Sequence, residues 1–163
     1  MPIRHAQARD LPAIVAIYNA SIPARLATAD LEPVSVESQR AWFESFEPER
    51  RPLWVLEEDG IIAGWLSLRS FYGRLAYHAT VEVGVYVAPE FQGRGIGRRL
   101  LEHAIREAPV LGIKTLLGFV FSHNQTSLRL FESLGFRRWG ELPDIAELDG
   151  VERSLTLLGR RVA

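Results

Sequence analysis

The chain has 163 residues, is 47% hydrophobic and carries a formal net charge of -1. That length suits one compact domain with a sizeable core, and the charge balance excludes a global electrostatic footprint for nucleic acid or an anionic membrane. With no cysteine, disulfides, thiolate nucleophiles and cysteine metal sites are excluded.

Nothing from Met1 to Asp10 resembles a signal peptide, and no apolar run is long enough to cross a bilayer. A cytoplasmic protein is the expectation. Leu11, Ile14, Val15, Tyr18 and Ile22 recur at helical spacing, with Asp10 placed to cap and Pro12 in the first turn. The stretch from Ala24 to Val34 lacks periodicity and reads as a loop. Trp42, Phe43 and Phe46, following Ser35 and Glu37, suggest a second helix.

Leu53 to Glu58 and Ile61 to Leu68 form two apolar runs joined by Asp59-Gly60, a strong hairpin signal. Ser70 to His78 is an aromatic-rich loop. From Thr80 to Val87 the pattern alternates, with Val81, Val83, Val85 and Val87 on one face and Glu82, Gly84 and Tyr86 on the other. Ile96, Leu100, Leu101, Ala104 and Ile105 make a helical stripe, and His103 falls on its polar face, where solvation is expected. Ile113 to Phe121 reads as a buried strand. A short helix runs from Asn124 to Leu134 and stops at Gly135. Val151 to Leu158 reads as the last strand. The order predicts one mixed α/β sheet covered by helices, in a single domain spanning 1–163.

The segment Gln92-Gly93-Arg94-Gly95-Ile96-Gly97 lies between a strand and a helix. Glycines there let the backbone turn tightly and approach a ligand. The following helix presents unpaired N–H groups and roughly half a positive charge, and Arg94, Arg98 and Arg99 add cationic character. Such a site suits phosphate. The spacing matches neither the dinucleotide fingerprint nor the triphosphate P-loop. A turn that merely permits close strand–helix packing is the plainer alternative.

Val85 to Leu101, with Gln92, Gly95 and Gly97, resembles the coenzyme A motif of the GNAT acetyltransferases. A second family motif follows in Asn124, Ser127, Leu130 and Glu132 to Phe136. The resemblance covers nearly the whole chain. It is closest to the phosphinothricin and methionine-sulfoximine acetyltransferase branch, through Ile17-Tyr18-Asn19, Tyr77, Thr80-Val81-Glu82 and Val85-Tyr86-Val87.

This resemblance implies a mixed, mostly antiparallel sheet flanked by helices, acetyl-CoA as cosubstrate and no metal. It implies that backbone groups of Val85 and Val87, beside Tyr86, pair with the pantetheine arm. Amides from Gly93 through Arg94, Gly95, Ile96 and Gly97 to Arg98, after Gln92, would hold the diphosphate, with Asn124, Ser127 and Phe131 along the arm's far side. It also implies a homodimer and a small amine or amino acid as acceptor.

N-acylation needs a neutral amine, and deprotonating one with a lysine-like pKa near neutrality costs about 4 to 5 kcal/mol. A nearby base therefore contributes. Glu82, a carboxylate among valines, is either an exposed or ion-paired residue or, as the branch implies, that base. Many relatives place a tyrosine or histidine where Phe131 stands, and phenylalanine donates no proton. Water, Tyr86 or His123 are the other candidates for protonating the leaving thiolate.

The loop from Phe71 to Tyr77 aligns with the branch's substrate loop. Arg74 and Tyr77 match residues that recognise acidic groups there, Tyr72 occupies a contact position, and Arg74 reads equally as a surface arginine. Asp144, Glu147, Asp149 and Glu152 replace a basic stretch; acids at the mouth would disfavour a dianionic substrate. His5, His78, His103 and His123 have no metal spacing. Trp42, Trp54, Trp65 and Trp139 read as core or interface residues. The competing functions are an acyl-CoA sensor without turnover, which Phe131 favours, and a protein N-terminal or lysine acetyltransferase.

Overall fold

A computed structural model describes residues 2–163. Seven strands form one sheet in the order β1-β2-β3-β4-β5-β7-β6. They are β1 (Ile3–His5), β2 (Leu53–Glu58), β3 (Ile61–Ser70), β4 (Thr80–Val87), β5 (Thr115–Phe121), β6 (Arg137–Leu148) and β7 (Val151–Arg161). Every pairing is antiparallel except β4 with β5. The α-helices are α1 (Leu11–Ser21), α2 (Arg40–Glu44), α3 (Ile96–Glu107) and α4 (Gln125–Ser133). The mixed, mostly antiparallel sheet and the Asp59-Gly60 hairpin agree with the sequence reading; both turn residues take positive φ, 51° and 78°.

Two faces of the sheet are distinguished by their helices. A Cβ built on Gly64 would meet Ile96 Cγ2 at 2.9 Å and Leu100 Cδ1 at 3.2 Å, so that side of β3 lies under α3. The next residue, Trp65, points the other way and donates its indole N–H to Ile14 O of α1 at 3.1 Å. Tyr86 stacks on Trp65 with ring centroids 4.7 Å apart and meets Tyr18 of α1 edge-on at 5.2 Å. By alternation Glu82, Gly84 and Tyr86 share the α1 face, while the β4 valines face α3. The two sides of the core close with Leu11, Ile14, Val15 and Ile17 on α1 and Ile96, Leu100, Leu101 and Ala104 on α3, all buried.

The structure corrects several expectations. Asp10 does not cap α1 through its side chain; its carboxylate accepts from Arg4 at 2.8 and 3.0 Å and from the Gln7 amide at 2.7 Å, tying β1 to the entry of α1. His103 is not solvated but half-buried, edge-on against Trp54 at 4.6 Å, and that burial lowers its pKa. The largest omission is β6, which pairs with a longer β7 than expected, the two turning at Asp149-Gly150. Its register shifts twice, between Arg138 and Gly140 and between Leu142 and Ala146. Its side chains are largely exposed, so no apolar alternation marks it. Trp139 lies half-exposed across Gly159, where only hydrogen leaves it room.

Candidate active site

The site begins where two strands part. β4 and β5 pair only through Thr80 with Thr115, Val81 with Leu116 and Glu82 with Leu117. Beyond that point β4 stays with β3 as far as Val87, and β5 stays with β7 as far as Phe121. A gap therefore opens beside Val83 to Val87, where a strand edge faces no neighbouring strand. An extended ligand can pair there in the manner of an added strand. Gly118, the first β5 residue past the divergence, lets α4 come close: its ideal Cβ would lie 2.8 Å from the Phe131 ring. Phe131 is thereby packed into the wall of the gap, against Phe136.

At the end of β4 the chain makes a 3-10 turn over Pro89–Phe91 and enters the glycine loop. Gly93 and Gly95 adopt φ of 78° and 76°, and a Cβ on either would touch nothing within 4 Å. These two glycines are required by backbone conformation, and the space beside them is empty of protein. Gly97 differs: its Cβ would stand 3.3 Å from Leu130 and 3.6 Å from Val87, so it serves close packing of α3 against α4 and β4. Gly95 precedes the first turn of α3 and no side chain caps that end. The first N–H groups of a twelve-residue helix thus stay available to an anion. Arg98 is directed to Glu102 at 3.3 Å and Ser133 Oγ at 3.1 Å, and Arg94 lies over the Phe91 ring at 5.2 Å. The cradle is made mainly of backbone.

On the α1 face the gap opens into a cavity of about 730 Å³. Trp42, Trp65, Phe71, Tyr72 and Tyr86 give it an aromatic lining, and Glu82, Arg69 and Asp30 are its charged residues. Glu82 is half-buried and stands opposite Arg69 in the β3–β4 register, at the last residue pair before the strands diverge. Tyr18 hydrogen-bonds to both Thr28 and Asp30; its phenol is pushed up to about 12, by burial first and then by the Asp30 carboxylate. Burial likewise raises the Tyr86 phenol, whose O–H reaches Ala27 O at 3.4 Å.

The segment after α1 covers one side of this cavity and is fastened at several points. Asn124 donates to Leu26 O at 3.1 Å and accepts from the Ser127 amide at 3.2 Å, so it caps α4 and holds the segment at once. His123 Nε2 lies 3.0 Å from Arg25 O. Arg25 pairs with Asp149 at 2.7 Å, reaching the β6–β7 turn.

The structure brings Glu82, Val85, Tyr86, Asn124, Ser127, Phe131 and Tyr72 to this one cavity. Val87 and the loop from Gln92 to Arg98 continue from the end of β4. Arg74 and Tyr77 are exposed and do not line the cavity; Tyr77 packs behind Phe71, ring centroids 5.5 Å apart. His123 is also outside the lining. The late acids do not form the mouth: Asp144, Glu147, Asp149 and Glu152 are absent from the cavity wall, and Asp149 is already paired. Their predicted bias against dianionic substrates therefore loses its basis.

Sequence reasoning missed Arg69, Asp30, Thr28 and Arg51. Arg51 is buried and pins the aromatic loop, donating to Ser70 Oγ at 2.9 Å and His78 O at 2.7 Å. Only Arg69 left a usable signal, since strand alternation places it on the same face as Trp65.

A parted pair of parallel strands, a backbone anion cradle at a helix start and a carboxylate where the strands part define an acyl-CoA-using transferase site. The chain belongs to the GNAT acetyltransferase family, whose model matches residues 12–136, and is an acetyl-CoA-dependent N-acetyltransferase. It is 49% identical over 164 residues to YwnH of Bacillus subtilis (strain 168), provisionally named a phosphinothricin acetyltransferase, with 100% of both chains covered. It is 35% identical over 161 residues to the L-methionine sulfoximine/L-methionine sulfone acetyltransferase of Salmonella typhimurium (strain LT2), covering 97% of this chain and 92% of that protein. The GNAT phosphinothricin acetyltransferase of Sinorhizobium meliloti, solved with acetyl-CoA, superposes with a TM-score of 0.92 at 28% identity, covering 98% of this chain and 87% of that one.

Proposed function

We propose that this protein acetylates the amino group of a small amino acid or related amine, with Glu82 as the base. Bound acetyl-CoA supplies the acyl group as a thioester and the coenzyme A thiol as leaving group. The β4 backbone at Val85 and Val87, beside Tyr86, holds the pantetheine arm, with Asn124, Ser127 and Phe131 opposite. The amides from Gly93 to Arg98, entered through Gln92, hold the diphosphate.

The placement of Glu82 carries this reading. It lies on the cavity side of β4 at the point where β4 and β5 part, and the aromatic lining lowers the dielectric around the amine. Glu82 first accepts a proton from the ammonium, directly or through one water; the neutral amine then attacks the thioester carbonyl, the nitrogen–carbon bond forming and the carbon–sulfur bond breaking. Phe131 offers no proton to the thiolate; the proton still on the acylated nitrogen passes to it through water. Tyr72 shapes the acceptor end of the cavity, and Tyr77 supports that wall through Phe71. Arg74 sits on the same loop, outside the lining.

A cytoplasmic location and a homodimer complete the reading. Among the described residues no helix is long and apolar enough to cross a membrane. The β6 edge exposes Trp139, Leu142 and Ile145, a surface that suits a second copy, and sedimentation analysis would give a dimer mass.

Thiol release from acetyl-CoA, measured over a panel of amino acids, polyamines and peptides, tests the function. Turnover confined to small amino acids supports it. Cofactor binding with no turnover would replace it with a sensor, and turnover of peptides alone with a protein acetyltransferase.

A further inference from the structure

Of the charged groups lining the cavity, Arg69 alone is cationic. It forms no ion pair among the described residues. It is also the direct cross-strand partner of Glu82, with Cα register Arg69 to Glu82 across β3 and β4. Both side chains line the cavity on the face occupied by Trp65 and Tyr86. Residues so opposed have Cβ atoms about 5 Å apart, and their side chains run side by side. The two head groups nevertheless lie beyond salt-bridge distance, which leaves both available to a third party.

The molecule that uses both has an amine and an acid on neighbouring atoms. In an α-amino acid the ammonium and the carboxylate share one carbon. An opposed carboxylate and guanidinium can therefore grip them together: Glu82 at the nitrogen, Arg69 at the carboxylate. Guanidinium suits this because its planar fork donates two parallel hydrogen bonds to one carboxylate. The rest of the wall is aromatic, from Trp42, Trp65, Phe71 and Tyr72, and Asp30 is its other carboxylate. That composition accepts an apolar or neutral polar side chain and repels an acidic one.

We infer that Arg69 is the specificity-determining residue that binds the α-carboxylate of the acceptor, making the natural substrate class neutral α-amino acids. The inference rests on the amino-acid acetyltransferase reading above. Arg69, itself exposed to solvent, lines the cavity, whereas Arg74 on the neighbouring exposed loop does not.

The test compares L-methionine sulfone with its decarboxylated amine, 3-(methylsulfonyl)propan-1-amine, each with acetyl-CoA, in wild type, Arg69→Ala, Arg69→Lys and Arg74→Ala. Loss of a charged hydrogen-bond pair predicts that Arg69→Ala lowers the ratio of kcat/KM for acid over amine about 10- to 100-fold, through KM. Arg69→Lys should restore part of that ratio, and Arg74→Ala should keep it at the wild-type value. Acetyl-CoA affinity, measured by calorimetry, verifies that each variant is folded. A ratio unchanged in Arg69→Ala, an equal fall for both substrates, or a loss that follows Arg74 instead would overturn the assignment while leaving the acetyltransferase intact. If wild type turns over neither compound nor any other amine, the acetyltransferase reading itself fails.

Discussion

Replacing Gly95 with alanine separates backbone strain from ligand contact. Gly95 has φ of 76° and ψ of 16°, the left-handed region, where an L-residue pays roughly 1 to 2 kcal/mol. Its new Cβ would meet no protein atom within 4 Å, so there is no clash to add. For a chain of this size a loss of about 1 kcal/mol lowers Tm by about 2 to 4 °C. Gly60 provides the control: φ is 78°, its Cβ also meets nothing, and it lies in the β2–β3 turn. Gly60→Ala should therefore cost the same Tm and leave acetyl-CoA affinity unchanged. On the proposed cradle, the methyl group of Gly95→Ala enters the protein-free space at the start of α3 that a diphosphate would take. Weakening one or two charged hydrogen bonds there predicts a Kd for acetyl-CoA raised about 10- to 100-fold. Differential scanning fluorimetry and isothermal titration calorimetry on the two variants provide both readings. Wild-type cofactor affinity in Gly95→Ala, or an equal loss in Gly60→Ala, would refute the cradle.

Arg51→Met should destabilise the fold by about 1 to 3 kcal/mol, because three side-chain hydrogen bonds are lost while the cost of burying a cation is relieved. Since Arg51 ties down the loop bearing Phe71 and Tyr72, its KM for the amine should rise more than its KM for acetyl-CoA; urea unfolding and steady-state kinetics check both. Burial acts to raise the Asp10 carboxyl, but hydrogen bonds from Arg4 and the Gln7 amide outweigh it and hold its pKa below 3.8. A depressed carboxyl stabilises the fold above its unfolded pKa and loses that contribution as pH falls through the folded value. Asp10→Asn should accordingly be less stable at neutral pH and show a flatter loss of stability below about pH 4, read by urea unfolding across pH.

The parts of the fold legible in the sequence are those where one physical rule acts alone. The Asp59-Gly60 turn is legible because both residues suit positive φ, and the valine alternation of β4 and the stripe of α3 because each buries one face. The β6 strand was hidden for the opposite reason. Its exposed side chains, Pro143-Asp144 and two register shifts erase the period, although Asp149-Gly150 carries the same turn signal as the first hairpin. The proposed cofactor end of the site follows the chain continuously from Val85 to Leu101 and is legible locally. The proposed acceptor end is assembled from α1, the segment after it, β3 and β4, and the pairing of Arg69 with Glu82 exists only through sheet register. A residue such as Asn124 shows the remaining difficulty: its motif marked it for the cofactor, while in the fold its carboxamide also fastens Leu26 and caps α4.

The most direct measurement of the central claim is single-turnover acetyl transfer by Glu82→Gln beside wild type, with acetyl-CoA affinity determined on the same samples. Glutamine keeps the shape and removes the base, so the account predicts a fall in transfer rate of about 100-fold or more at neutral pH. Kd for acetyl-CoA should stay at the wild-type value. A Glu82→Gln enzyme that transfers acetyl groups at the wild-type rate would contradict the account at its centre.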